Sequence, residues 1–295
     1  MCRDWCSSML LLTIIVSMQP LLTENKSHFF VNQNSGTFVS PNYPANYPPR
    51  SFEMWQITVA ADQRISLILD PFFLEISGGA ADSYDVFVVF DGVPCSTPVI
   101  GLYTGIGNET ITSTENQLSA ILISDNSFEE TGFNATFESI KNDRSVPSTT
   151  KTATRVCGGI LKKRSGVINK RRSALGNLCI WRISVGANLK ITLTVEEATV
   201  QRNYGWFRVF DGENCNANVI SFELGQSPNL PKNITSTGNN LVIMTYGIRM
   251  KAQYNTGSDE SSKKIDLEAK ILVFRSPQLV HFVVLFAFVF SELDV

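Results

Sequence analysis

The segment Trp55-Gln-Ile-Thr-Val returns later in the chain as Trp181-Arg-Ile-Ser-Val. Phe87-Val-Val-Phe-Asp-Gly returns as Phe207-Arg-Val-Phe-Asp-Gly, and a cysteine, Cys95 or Cys215, stands three residues past each glycine. Ile111-Thr-Ser-Thr ahead of Gln117-Leu-Ser-Ala-Ile is matched by Ile234-Thr-Ser-Thr ahead of Asn240-Leu-Val-Ile-Met. The order is kept and the offset stays near 120 residues, so the chain carries one structural unit twice.

The repeated segments read as strands. Ile65–Leu69, Val86–Phe90, Leu118–Ile123 and Phe133–Phe137 are short, rich in β-branched and aromatic residues, and bounded by turn formers. Trp181–Val185, Leu189–Val195, Trp206–Phe210 and Leu241–Tyr246 do the same in the second copy. Alternation is clearest in Val86-Phe-Val-Val-Phe and in Leu189–Val195. No stretch between them has helical periodicity. The pattern predicts an all-β chain of two antiparallel β-sandwiches in tandem. Asn142–Arg155 is polar, lacks core residues and reads as a linker. Ahead of the first tryptophan strand, Gly36–Pro48 reads GTFVSPNYPANYP, and its three prolines exclude a helix.

Several features point outside the cell. Arg3 followed by the apolar run Met9–Val16 has the form of a signal peptide over residues 1–24. Its removal would take Cys2 and Cys6 and leave an even set, Cys95, Cys157, Cys179 and Cys215. Sequons stand at Asn25, Asn108, Asn134 and Asn233. The only histidines, His28 and His281, lie outside the expected modules, which argues against histidine-dependent catalysis and His-ligated zinc. A carboxylate pair of glycosidase type needs no histidine and stays open on that ground alone. A net charge of −2 gives no signal for nucleic acid.

The first copy resembles a CUB domain. Gly36–Pro48, Trp55-Gln-Ile, Phe73-Leu-Glu75, Tyr84-Asp85-Val, Phe90-Asp-Gly92, Ser124-Asp-Asn-Ser127 and Thr131-Gly-Phe-Asn-Ala135 carry the resemblance in order. The second copy is similar but divergent. The resemblance implies jelly-roll-like sandwiches over residues 30–140 and 157–254, joined by a linker at 141–156. It implies a Cys157–Cys179 disulfide in the second unit; the first has Met54 in place of the second cysteine. Cys95 and Cys215 occupy equivalent loops, and pairing within one chain, pairing between chains or two free thiols all fit.

The resemblance also implies a calcium site. Glu75, Asp85 and Asp125 fall in three loops that the fold brings to one end, with a carbonyl near Asn126 or Ser127 and the Tyr47 hydroxyl bracing the acids. Calcium takes six to eight hard oxygens, which such a set supplies with carbonyls and water. The expected role is recognition of an extracellular protein through its exposed Lys or Arg, without catalysis. In the second copy, Glu196-Glu197 stand near the first acidic position, Gly205 replaces the aspartate, and Tyr246-Gly247 replaces Ser-Asp. The basic run at 162–172 reads as a solvated loop, a sulfated-glycan site or a dibasic cleavage site. After residue 254, a polar spacer and the apolar Leu279–Phe290 have the form of a glycolipid-anchor signal over 255–295, with Gly257 or Ser258 as attachment residue and the tail as the only membrane contact. A disulfide-assembled matrix or coat protein, or a glycan-binding surface protein, is the alternative.

Overall fold

The computed structural model describes residues 26–75, 84–142, 156–171, 178–200, 205–224 and 230–258. The expected signal peptide, Asn25, most of the linker, Arg172 and the apolar tail lie outside these residues. The first module runs β1 (Lys26–Val31), β2 (Ser35–Val39), β3 (Phe52–Thr58), β4 (Gln63–Phe73), β5 (Val86–Phe90), β6 (Val99–Tyr103), β7 (Ile106–Thr112), β8 (Gln117–Ile123) and β9 (Gly132–Lys141). The second runs β10 (Val156–Leu161), β11 (Ser165–Lys170), β12 (Leu178–Ser184), β13 (Leu189–Val200), β14 (Trp206–Phe210), β15 (Val219–Leu224), β16 (Lys232–Thr235), β17 (Asn240–Tyr246) and β18 (Ile248–Ser258).

Each module is a sandwich of a five-stranded and a four-stranded sheet. The orders are β1-β3-β8-β5-β6 over β2-β9-β4-β7, and β10-β12-β17-β14-β15 over β11-β18-β13-β16. Every strand of one module thus has a counterpart at the same place in the other. All pairings are antiparallel except β1 with β3 and β10 with β12. The first core gathers Trp55, Leu67, Phe72, Phe87, Phe133 and Phe137 between its sheets. Ile191, Leu193, Phe207, Val209, Ile243 and Met250 do so in the second.

A third apolar layer joins the modules. Phe52, Met54, Val88, Phe90 and Ile121 of the first five-stranded sheet pack with Leu178, Trp206, Phe210, Val242 and Met244 of the second. The molecule is therefore four sheets deep, and strands β5 and β14 are buried along their whole length. The run Val86–Phe90 has no polar residue because both its faces are covered. Arg208 enters the layer with its guanidinium 4.1 Å from the ring centres of both Phe52 and Phe222. Burial pulls its pKa down to about 9, and the two ring faces return part of the lost hydration as cation–π attraction.

The contact has approximate two-fold symmetry. Cys95 pairs with its own counterpart Cys215, with Cα atoms 5.6 Å apart. On one side Gln56 and Asn216 exchange two side-chain hydrogen bonds, of 2.9 and 3.0 Å. On the other, their counterparts Arg182 and Ser96 meet, the Arg182 Nη1 donating to the Ser96 carbonyl at 3.1 Å. Residue i touching j while j touches i is the signature of a two-fold dimer interface, here closed inside one chain. Cys157 and Cys179 also pair, directly opposite each other on β10 and β12. Cys95 and Cys215 being paired internally removes the route to disulfide assembly that the alternative reading needed.

The module boundaries also shift. The first begins at Lys26 rather than 30, because β1 adds in parallel to the tryptophan strand. His28 therefore belongs to the module, its ring stacked on Trp55 and 3.2 Å from Glu53. The second extends to Ser258, with Gly257 and Ser258 opposite Lys190 and Leu189. An anchor attached there would sit in the last strand and not in a spacer. Removing the inter-module disulfide by Cys95→Ala with Cys215→Ala should lower unfolding free energy by about 2–4 kcal/mol. Denaturant melts should keep one transition, because the apolar layer persists; two separated transitions would contradict that coupling.

Candidate functional site: an acidic cluster at the end of the first module

Glu75, Asp85 and Asp125 come from three connections and meet at one end of the first sandwich. Glu75 follows β4, Asp85 precedes β5 and Asp125 follows β8. The ends of β5 and β8 are register partners, Val86 opposite Ile123, so the two aspartates arrive side by side. Glu75 reaches them from the other sheet. One carboxylate oxygen from each lies within 4.8 Å of the others.

The proline-rich loop closes over this cluster. Its fixed path carries Tyr47 into the core end, where it is buried. The Tyr47 hydroxyl donates to Asp85 Oδ2 at 2.5 Å and accepts the Glu75 N–H at 3.1 Å. Asp85 Oδ1 accepts the Asp125 N–H at 2.8 Å, and Asp125 Oδ1 accepts the Ser127 N–H at 2.8 Å. The loop is strapped down by the Tyr47 N–H on the Glu130 carbonyl and the Asn46 amide on the Glu129 carbonyl. Asn126 and Ser127 lie exposed at the rim, and the Asn126 side-chain oxygen accepts from Arg50 Nε at 2.6 Å. That oxygen is therefore engaged by a cation of the protein itself. Tyr43, the other tyrosine of this loop, is half-buried.

Electrostatics make the cluster unfavourable as three bare anions. Burial, then the neighbouring Asp85, Asp125, Glu129 and Glu130 charges, push the Glu75 carboxyl up to about 8. Burial outweighs the Tyr47 and Asp125 hydrogen bonds and pushes Asp85 up to about 7; Asp125 is raised by burial as well. The Tyr47 hydroxyl, buried beside Asp85, is also held well above its usual range. A divalent cation would reverse this balance.

The second module has dismantled the same end. Its registers place Gly205 at the Asp85 position and Ile248, buried, at the Asp125 position, one residue on from the expected Tyr246-Gly247 match. A Cβ at Gly205 would lie 2.4 Å from the Gly247 carbonyl, so no side chain fits there. Glu196 and Glu197 fall at the β13 bulge, where Asp70 and Pro71 stand in β4, and pair with Lys251 and Arg249. They are thus short of the Glu75 position. Lys170, counted in the basic run, is buried at the Ser40 position, donates to Thr245 Oγ1 at 3.3 Å, and is pulled down to about 7 by burial. It offers nothing to a glycan.

Carboxyls raised in this way hold protons in the folded state that the unfolded chain, with pKa values near 4, gives up. In chelator, stability should therefore fall as pH rises from about 4 to about 8 and then level off. Asp85→Asn should flatten part of that slope in thermal melts. A melting temperature rising with pH over that window would contradict the assignment.

Comparisons with known proteins bear on the family of the first module. Residues 26–137 match the family model described as CUB domain. Human Tolloid-like protein 1 is 26% identical over 275 aligned residues, covering 79% of this chain and 27% of that protein. Mouse Procollagen C-endopeptidase enhancer 2 is 30% identical over 220 residues, covering 71% of this chain and 50% of that protein. The solved CUB1-EGF-CUB2 domain of human MASP-1/3 is 19% identical with a TM-score of 0.34, covering 76% of this chain and 100% of that chain. The chain thus spans half or less of the length of these curated relatives. Residues 26–137 belong to the CUB domain family, and residues 156–258 repeat their strand order around a second core.

Proposed function

We propose that this chain is an extracellular, non-catalytic binding protein whose first module recognises a protein partner through a calcium-organised acidic surface. The observation that carries this reading is the convergence of Glu75, Asp85 and Asp125 within 4.8 Å, braced by Tyr47. The fit to calcium is one of chemistry and size. All donors are hard oxygens, and Ca–O contacts of about 2.3–2.6 Å put neighbouring ligand oxygens at or below about 5 Å. Glu75, Asp85 and Asp125 would hold the ion, which supplies positive charge that keeps all three ionised and the three loops in register.

The residues themselves do the rest. Tyr47 fixes the Asp85 carboxylate while also holding the Glu75 backbone. Asp125 fixes the turn through Ser127 and leaves the rim open to solvent. Glu129 and Glu130 add negative charge beside it. A Lys or Arg from the partner pairs with the outward carboxylate oxygens in charge-assisted hydrogen bonds. Extracellular placement is supported by the two disulfides. The exposed sequons Asn108 and Asn233 lie on the edge strands β7 and β16, where glycans would also shield open sheet edges. Among the described residues no helix is long and apolar enough to cross a membrane.

The test is capture from an extracellular-matrix extract on the immobilised chain, with elution by chelator or by free lysine, beside an Asp85→Ala control. The reading predicts proteins held by the parent chain, released by either eluent and absent from the control. A captured set that chelator leaves unchanged, or that Asp85→Ala retains, overturns it.

A further inference from the structure

The two-fold contact between modules has two equivalent seams, and their chemistry differs. At the first seam the outward positions of β1 and β3 are Phe29, Val31 and Gln56. Registers make Ile160, Lys162 and Arg182 their counterparts at the second seam. There they border a cavity of about 300 Å³, closed on the first-module side by Ser96 and on the floor by Glu213 and Asn240. Val93, the counterpart of Glu213, is apolar. Three charged residues have therefore entered one seam and not the other.

The cations are placed to share one ligand group. Arg182 lies directly opposite Ile160, and Lys162, two residues on and just past the end of β10, lines the same cavity. That separation is about 4.8 Å across and about 6.6 Å along the sheet, within reach of two long side chains meeting at a single anion. Arg182 spends one N–H on the Ser96 carbonyl, which fixes its guanidinium at the cavity rim with further donors available. Lys162 is exposed, and among the described residues neither cation forms an ion pair with a carboxylate. Ile160, 52% exposed, gives an apolar platform. The Asn240 amide donates to Glu213 Oε1 at 3.4 Å, which turns that carboxylate away from an anion and leaves acceptor oxygens of the pair for sugar hydroxyls. Beyond the rim the β10–β11 turn exposes Lys163 and Arg164, which extends the positive track past the cavity.

We infer that this seam is a binding site for a sulfated saccharide, with one sulfate between Lys162 and Arg182 and the sugar ring over Ile160. The volume takes about one to two sugar units, and the turn cations meet the continuing polyanion. The site is independent of the acidic cluster on the first module and does not need calcium.

The test is calorimetric titration of the full chain with a trisulfated heparin-type disaccharide and with the same disaccharide fully desulfated, which keeps its carboxylate. The sulfated sugar should bind, and the desulfated one about tenfold more weakly or not at all. Lys162→Ala should weaken binding about tenfold. So should Arg182→Gln, which installs the residue that the first seam carries, while its melting temperature reports whether the seam stays closed. Lys163→Ala with Arg164→Ala should cost only about two- to threefold, since both cations are solvated. Asp85→Asn should bind as the parent does. No binding of the sulfated sugar, equal binding of both sugars, or a loss that follows the turn pair and spares Lys162 overturns the inference.

Discussion

The apolar layer between the two five-stranded sheets is the constraint on which the rest depends. Phe52, Met54, Val88 and Phe90 on one side and Trp206, Phe210, Val242 and Met244 on the other exclude water from faces that a lone sandwich would leave wet. Burial of this kind is the dominant favourable term in association, and the Cys95–Cys215 bond fixes its register. The two modules consequently act as one body. The acidic end of the first module and the basic seam are held at a set separation, which a flexible linker would not do.

Within this symmetric frame the copies have divided their chemistry. The first keeps the carboxylates, the tyrosine loop and an open rim. The second fills the same end with Ile248, a glycine backed onto backbone, and a buried lysine. Gly205 and Ile248 thus take the places of the two buried aspartates, and Lys170 that of the buried Ser40. The second module thereby lacks the acidic cluster at this end. Its own charges moved to the seam, at positions where the first copy has Val31, Gln56 and Val93.

Much of this was legible in the residues. The duplication and the all-β class follow from short motifs whose spacing survives in both copies; the acids Glu75, Asp85 and Asp125 follow from the resemblance of the first copy to a CUB domain, and the structure brings the three together. Tyr47 was legible through the same resemblance, as the second tyrosine of the proline-rich loop. The inter-module layer was missed. Val86–Phe90 is five consecutive apolar residues, a run consistent with a strand covered on both faces, but the run alone does not say what covers the second face. The β4 and β13 bulges shift register by a residue or more, which is why Glu196 and Glu197 looked nearer the Glu75 position than they are. Burial of Lys170 was invisible for a different reason: a basic run gives no sign of which cation faces inward. Arg182 was legible only as the counterpart of Gln56, and the seam exists only after both modules fold.

Calcium titration of the chelator-stripped protein by calorimetry tests whether Glu75, Asp85 and Asp125 form one cation site in a chain whose second module lacks the matching acids. One calcium per chain is expected, with Asp125→Asn abolishing the heat. No binding, two ions per chain, or a single ion that Asp125→Asn leaves bound would contradict it.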